Sequence, residues 1–274
     1  MITESLFYWI PVMKLLLSVL FTPVAVLLAS GQALAALQTR TVEYKHGNTV
    51  LEGYLAYDDA IKGKRPGVLV VHEWNGLQSY AKQRAEQLAK LGYVAFAADI
   101  YGKGIRPKNA QESAAQAKIY RQDRQLLRAR ANAGLKVLQA NPLTDIKRIA
   151  AIGYCFGGGT VLELARSGAN IAGVVSFHGN LDTPNPADAK NIKTKVLVLH
   201  GADDPFVPEE QIAAFETEMR QANVDWQFIS YGRTVHSFTN PEAKGEIKGA
   251  EYNPIADQRS WQAMQQFFAE IFRK

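Results

Sequence analysis

The chain has 274 residues, 47% of them hydrophobic, and a formal net charge of +5. That balance suits a globular protein and excludes a disordered or collagen-like chain. The basic excess is mild and interleaved with acids, which speaks against nucleic-acid binding and for a solvated surface.

Lys14 precedes an apolar run, Leu15 to Leu20 and Val24 to Leu28, and Ala33-Leu34-Ala35 follows. A charged start, an apolar stretch and small residues at the end form a secretory signal peptide over residues 1–35. Pro23 interrupts the run, which weakens the competing reading as an uncleaved membrane anchor. Met13-Lys14 opens a better signal than Met1, so Met13 is a candidate true start. One domain is then expected over 36–274, exported to a periplasmic or secreted location and monomeric, with no membrane association after cleavage.

Thr41–Tyr44 and Val50–Tyr57 flank His46-Gly47-Asn48 and read as a β-hairpin, with His46 in the turn. Gly67–Val71 is a short continuous apolar run after Pro66, as in a parallel strand buried on both faces. A helix is expected over Gln78–Leu91, ended by Gly92. Tyr93–Ala98 is a second buried strand, with Asp99 at its end. One long polar helix is expected from Ala110 to Gln139, stopping at Asn141-Pro142.

Ile149–Gly153 reads as a strand running into Gly153-Tyr154-Cys155-Phe156-Gly157-Gly158-Gly159. Ile171–Phe177, Lys195–His200 and Asp225–Tyr231 are further strands. A helix follows Pro208, and another spans Asp257–Phe272. Strands alternating with helices predict a doubly wound, mostly parallel sheet with helices on both faces. Ligands bind outside the carboxyl ends of such strands, so catalytic groups are expected just after them.

Cys155 is the single cysteine, so it has no internal disulfide partner. Its surroundings match the G-x-nucleophile-x-G elbow, with cysteine in place of serine. The strand-to-helix turn sets the sulfur at a helix N-terminus, where the dipole favours a thiolate. The Phe156 N–H is free for a developing oxyanion. After the later strands come Asp203-Asp204-Pro205 and His236-Ser237-Phe238. The order nucleophile, acid, histidine is that of α/β-hydrolases. His236 then pairs with the sulfur, and an aspartate fixes its tautomer. Asp204, directly before Pro205, is favoured over Asp203. His200 reads as structural, and His178 is a lesser candidate for lining the pocket. No histidine-carboxylate spacing suggests a metal site, and no cofactor is called for.

These residues resemble the dienelactone hydrolase family, an α/β-hydrolase family, over nearly all of the mature chain. The resemblance rests on Val71–Gly76, Ala98–Gly102, Gly153–Gly158, Asp204–Pro208 and His236–Phe238. It implies a triad of Cys155, Asp204 and His236, with Glu73 assisting thiolate formation. It also implies that the Trp74 N–H is the second oxyanion donor. Tyr101, Lys103, Arg106 and Asn240 are candidate substrate contacts. Lys103 and Asn240 stand where the best-known members carry arginines for a substrate carboxylate, so the lactone preference transfers less well than the triad. The expected function is hydrolysis of a small carboxylic ester or lactone through an acyl-enzyme. A carboxylesterase or thioesterase without lactone preference is the alternative. A non-catalytic exported binding protein on a hydrolase fold is the alternative of another class. A redox role for the thiol is weaker, with no resolving cysteine present.

Overall fold

The structure, a computed structural model, describes residues 37–273. The expected signal peptide lies outside the described residues. The elements run β1 (Leu37–His46), β2 (Thr49–Asp58), β3 (Arg65–Val71), α1 (Ser79–Lys90), β4 (Val94–Ala98), α2 (Ala110–Gln122) and α3 (Arg124–Ala140). They continue with β5 (Thr144–Tyr154), α4 (Phe156–Arg166), β6 (Gly173–Phe177), β7 (Lys195–Gly201), α5 (Glu209–Gln221) and β8 (Trp226–Tyr231). A small hairpin, β9 (Lys244–Ile247) and β10 (Ala250–Glu251), precedes α6 (Pro254–Ile271).

Eight strands form one sheet in the order β1-β2-β4-β3-β5-β6-β7-β8. The expected hairpin opens it, and β2 runs antiparallel to β4. All pairings from β4 through β3 to β8 are parallel. The mostly parallel sheet with helices on both faces is therefore as expected. From β3 the chain steps to β4 on one side and later to β5 on the other. This switch opens a crevice above the carboxyl ends of β3 and β5.

The central strands read as continuous apolar runs because both faces are covered. Val68, Val70, Ala95, Ala97 and Ile152 pack with Leu88 of α1 and with Met264 and Phe268 of α6. Leu69, Val71, Phe96, Ala98 and Ala151 pack the other way, with Leu127 and Leu135 of α3 and Leu164 of α4. Each fully buried Val or Leu contributes about 1.5–3 kcal/mol. Helix α4 is buried along its whole length, which suits the helix directly behind the elbow.

The single long helix expected over 110–139 is two helices. Asp123 (φ −116°, ψ 84°) leaves the helical region, and its carboxylate accepts from the Leu126 N–H at 2.8 Å. An aspartate able to cap a new helix interrupts the old one. Asn109 caps the start of α2: its Oδ1 accepts from the Glu112 N–H at 2.9 Å, and its Nδ2 donates to the Glu112 carboxylate at 2.8 Å. The hairpin β9–β10 was not anticipated, since its strands are too short to carry an alternating pattern. Among the described residues, no helix is long and apolar enough to cross a membrane.

Candidate active site

The elbow after β5 follows from close approach of backbones. A Cβ on Gly153 would lie 2.0 Å from the Gly157 carbonyl oxygen, and one on Gly157 would lie 2.3 Å from that of Val71. Only glycine fits at either position. Cys155 between them has φ 53° and ψ −115°. A non-glycine residue in that region costs about 1–3 kcal/mol, and the surrounding packing holds it there. The turn lifts the cysteine to the start of α4. The Phe156 N–H belongs to the unpaired first turn of that helix.

Asp204 follows β7 and is buried, whereas Asp203 is exposed. The Asp204 carboxylate accepts from the Phe206 N–H at 2.9 Å and from His236 Nδ1–H at 2.7 Å. His236 lies in the loop after β8. Its N–H donates to the Gly249 carbonyl, and its own carbonyl accepts from the Glu251 N–H. The short hairpin β9–β10 thus anchors the histidine loop. Burial alone would push the His236 imidazolium down. The charge of Cys155 and the hydrogen bond to Asp204 outweigh it, and the pKa stands at about 10. Phe206 packs edge-on against the His236 ring, with centroids 5.2 Å apart.

Cys155 and His236 open into one pocket of about 270 Å³. Trp74, Phe206, Ile247 and Ala250 give it apolar walls, and Arg121 and Asn180 sit at its side. Arg121 donates to Asn180 Oδ1 at 2.6 Å. The pocket suits a small, mainly apolar ligand with one polar end.

Glu73 and Trp74 follow β3, across the crevice from the elbow. His72 Nδ1–H donates to the Glu73 carbonyl at 2.6 Å, and His72 Nε2 accepts from the Ile100 N–H. The Glu73 carbonyl and the Trp74 N–H share one peptide plane, so His72 sets the direction of that N–H. Tyr101 donates its hydroxyl to the Trp74 carbonyl at 2.8 Å. The Glu73 carboxyl is buried, which raises its pKa, and it accepts from Asn240 Nδ2 at 2.7 Å.

The structure brings Cys155, His236 and Asp204 together, with Trp74 lining the same pocket and Phe156 next to Cys155 in the chain. It places the other candidates differently. Glu73 and Asn240 bond to each other and line an adjacent pocket of about 240 Å³. Tyr101 is 1% exposed, stacked on Tyr120 beneath Trp74, so it does not line the Cys155 pocket. Lys103 is exposed and pairs with Glu43 of β1. Arg106 faces a separate groove of about 900 Å³ and donates to the Gly102 and Ile105 carbonyls, with Asp99 3.5 Å away. Arg106 lies in the loop between β4 and α2, where sequence proximity to Tyr101 does not fix which way a side chain faces. His200 is buried in β7, and His178 is buried behind the pocket rather than lining it.

Sequence reasoning passed over Arg121, Asn180, Phe206 and Ile247. Arg121 comes from a surface helix and carries no local signal of its place. Among the described residues, no group of three or more His, Cys, Asp or Glu is arranged to hold a metal ion.

Residues 51–272 match the dienelactone hydrolase family. The structure is similar to that of a dienelactone hydrolase-like promiscuous phosphotriesterase from metagenomic libraries. That likeness has 44% identity and a TM-score of 0.84, covering 87% of this chain and all of the other. A probable 2-oxo-3-(5-oxofuran-2-ylidene)propanoate lactonase of a Bradyrhizobium species is 27% identical, over 82% of this chain and 93% of its own. An uncharacterized protein of Caenorhabditis elegans, K02A2.1, is 38% identical over 53% of this chain and 94% of its own.

Proposed function

The chain belongs to the dienelactone hydrolase family and is a hydrolase acting on ester or lactone bonds, and from that premise we propose that it works through an acyl-enzyme on Cys155. One observation carries the reading. Cys155 and His236 share one pocket, and His236 Nδ1 meets Asp204 at 2.7 Å.

The Cys155 thiolate attacks the carbonyl carbon, and the C=O electrons move to oxygen. The N–H groups of Phe156 and Trp74 receive that oxyanion. Collapse breaks the C–O bond, and the leaving alkoxide takes the proton from His236 Nε2. Water then attacks the thioester and gives its proton to His236, and the second collapse releases the acid and restores the thiolate. Asp204 keeps the Nδ1 proton in place throughout. Glu73 stands in reserve as a proton acceptor for the resting thiol. It would have to leave Asn240 to reach the sulfur, and its raised pKa suits that exchange.

The small pocket with apolar walls favours a compact acyl group, on a lactone or an open ester. A simple carboxylesterase or thioesterase is the neighbouring reading. Phosphotriesters form a further substrate class, suggested by the 44% identical relative. The same thiolate and the same two N–H donors suit a phosphoryl centre. Residues 1–35 are proposed to direct export, and the mature chain to act as a monomer on a small molecule.

Cys155→Ala tests the core of the reading. It should fold as the parent does and lose hydrolysis of aryl esters, lactones and thioesters alike. Undiminished turnover on any of them would remove Cys155 as the nucleophile. Mass spectrometry of the parent with a slow aryl ester should find the acyl group on Cys155.

A further inference from the structure

His178 follows β6 with φ 39°, a left-handed conformation that a non-glycine residue adopts only when held. Its side chain is fully buried. Nδ1 accepts from the Cys155 N–H at 3.1 Å, which also reaches the Phe177 carbonyl at 3.0 Å. Nδ1 therefore carries no proton, and the ring proton sits on Nε2. Nε2–H donates to Thr239 Oγ1 at 2.7 Å.

The chain of donors continues without a gap. Thr239 Oγ1 donates to Tyr80 Oη at 2.6 Å, and Tyr80 donates to the Thr239 carbonyl at 3.1 Å. Arg84 Nε donates to Tyr80 Oη, and Arg84 Nη2 donates to the Thr239 carbonyl at 2.7 Å. The same Nη2 pairs with Asp257 of α6 at 2.5 Å. With Tyr80 and Thr239 oriented this way, one tautomer of His178 satisfies every donor in the set. Burial pushes the His178 pKa well below the usual histidine value, so the ring stays neutral. The other edge of the ring packs against His236, with centroids 5.1 Å apart and planes at 66°.

We propose that His178 is a positioning residue for acyl transfer, holding the Cys155 backbone and the His236 ring in register. The proposal rests on the triad reading above. Cys155 sits at a strained φ, and its N–H is tethered by Phe177 and His178. Loss of the Nδ1 acceptor leaves one tether and frees the ring behind His236. A shift of about 1 Å between nucleophile and base is enough to cost about 10²-fold in rate. His178 itself touches neither substrate nor the reacting atoms.

The test compares His178→Phe, His178→Asn and Cys155→Ala on p-nitrophenyl acetate. Phenylalanine keeps an aromatic ring and removes the acceptor. Asparagine restores an acceptor, Oδ1, near the place of Nδ1. His178→Phe should lower kcat about 10²-fold with KM nearly unchanged, and His178→Asn should recover most of the loss. A histidine that only filled space would lower Tm in both variants and leave kcat per folded molecule intact. The proposal falls if His178→Phe keeps kcat within about twofold of the parent, well short of that 10²-fold. It also falls if His178→Asn is as impaired as His178→Phe. Should His178→Phe fail to fold, Thr239→Val replaces it, because it removes the acceptor that selects the tautomer. A drop in kcat at constant KM then supports the proposal, and an unchanged kcat overturns it. Full turnover by Cys155→Ala would instead sink the triad reading, so the two failures are distinguishable.

Discussion

His236 and His178 lie with ring centroids 5.1 Å apart, and their charge states are opposed. Burial pushes both imidazoles toward the neutral form. His236 meets the charge of Cys155 and the Asp204 carboxylate, and its pKa rises to about 10. His178 meets a backbone N–H and a hydroxyl, and its pKa falls well below the usual value. Burial is common to the pair, so the partners decide. A ring facing an N–H must offer a lone pair, whereas a ring facing anions keeps both protons. One imidazole of the pair is thereby held charged and its neighbour neutral.

The largest break in this comparison is Asp204→Asn. It removes the anion that orients His236 and should lower kcat about 10⁴-fold, read from steady-state hydrolysis of an activated ester. Asp203→Asn, at the exposed neighbour, should leave kcat unchanged, and an equal loss at both positions would refute the assignment of Asp204.

Arg84→Met breaks the anchor of the quiet region. Arg84 and Asp257 are both mostly buried, with side chains 7% and 17% exposed. Leaving Asp257 without its partner should cost about 3 kcal/mol in urea unfolding. A change below about 0.5 kcal/mol, the range of ordinary surface substitutions, would mean the network does not bear on folding.

The pH dependence of stability sharpens the contrast further. His178 and His72 have folded pKa values below 6.5, that of His72 at about 4. Their contribution is present above pH 6.5 and is lost as pH falls through the folded values. His236 has a folded value above 6.5, so its contribution is present below pH 6.5 and is lost as pH rises toward about 10. Tm should therefore fall on both sides of neutrality. The acid limb should become shallower in His178→Asn, and an unaltered limb would show that His178 does not titrate with folding.

The smallest effect is expected at Lys103. Its ammonium pairs with Glu43 on the exposed edge of the sheet. Solvent screens such an exposed pair, and Lys103→Ala should leave kcat/KM for a carboxylate-bearing ester nearly unchanged. A tenfold rise in KM would return Lys103 to the substrate site.

The elbow was legible because its signal is local. Gly153, Cys155 and Gly157 are close in the chain, and the physical demand on them is a turn with no room for a Cβ. The parallel strands were legible for a related reason, since burial on both faces leaves continuous apolar runs. The break at Asp123 has one local sign, a capping aspartate, and an aspartate inside a polar helix looks the same in sequence. Tyr101 spends its hydroxyl on the Trp74 carbonyl, a partner 27 residues away, and no local pattern marks that bond.

By itself, the sequence determined the strand-helix alternation, the glycine-flanked elbow at Cys155 and the chain order of Cys155, Asp204 and His236. Each depends on neighbours in the chain or on the direction of the strands. Only the tertiary structure paired His236 with Asp204 and left Asp203 exposed, turned Glu73 toward Asn240 and brought Arg121 to the pocket. It alone placed His178 behind Cys155. Those outcomes depend on hydrogen bonds and packing between segments far apart in the chain, and no local pattern encodes where two such segments meet.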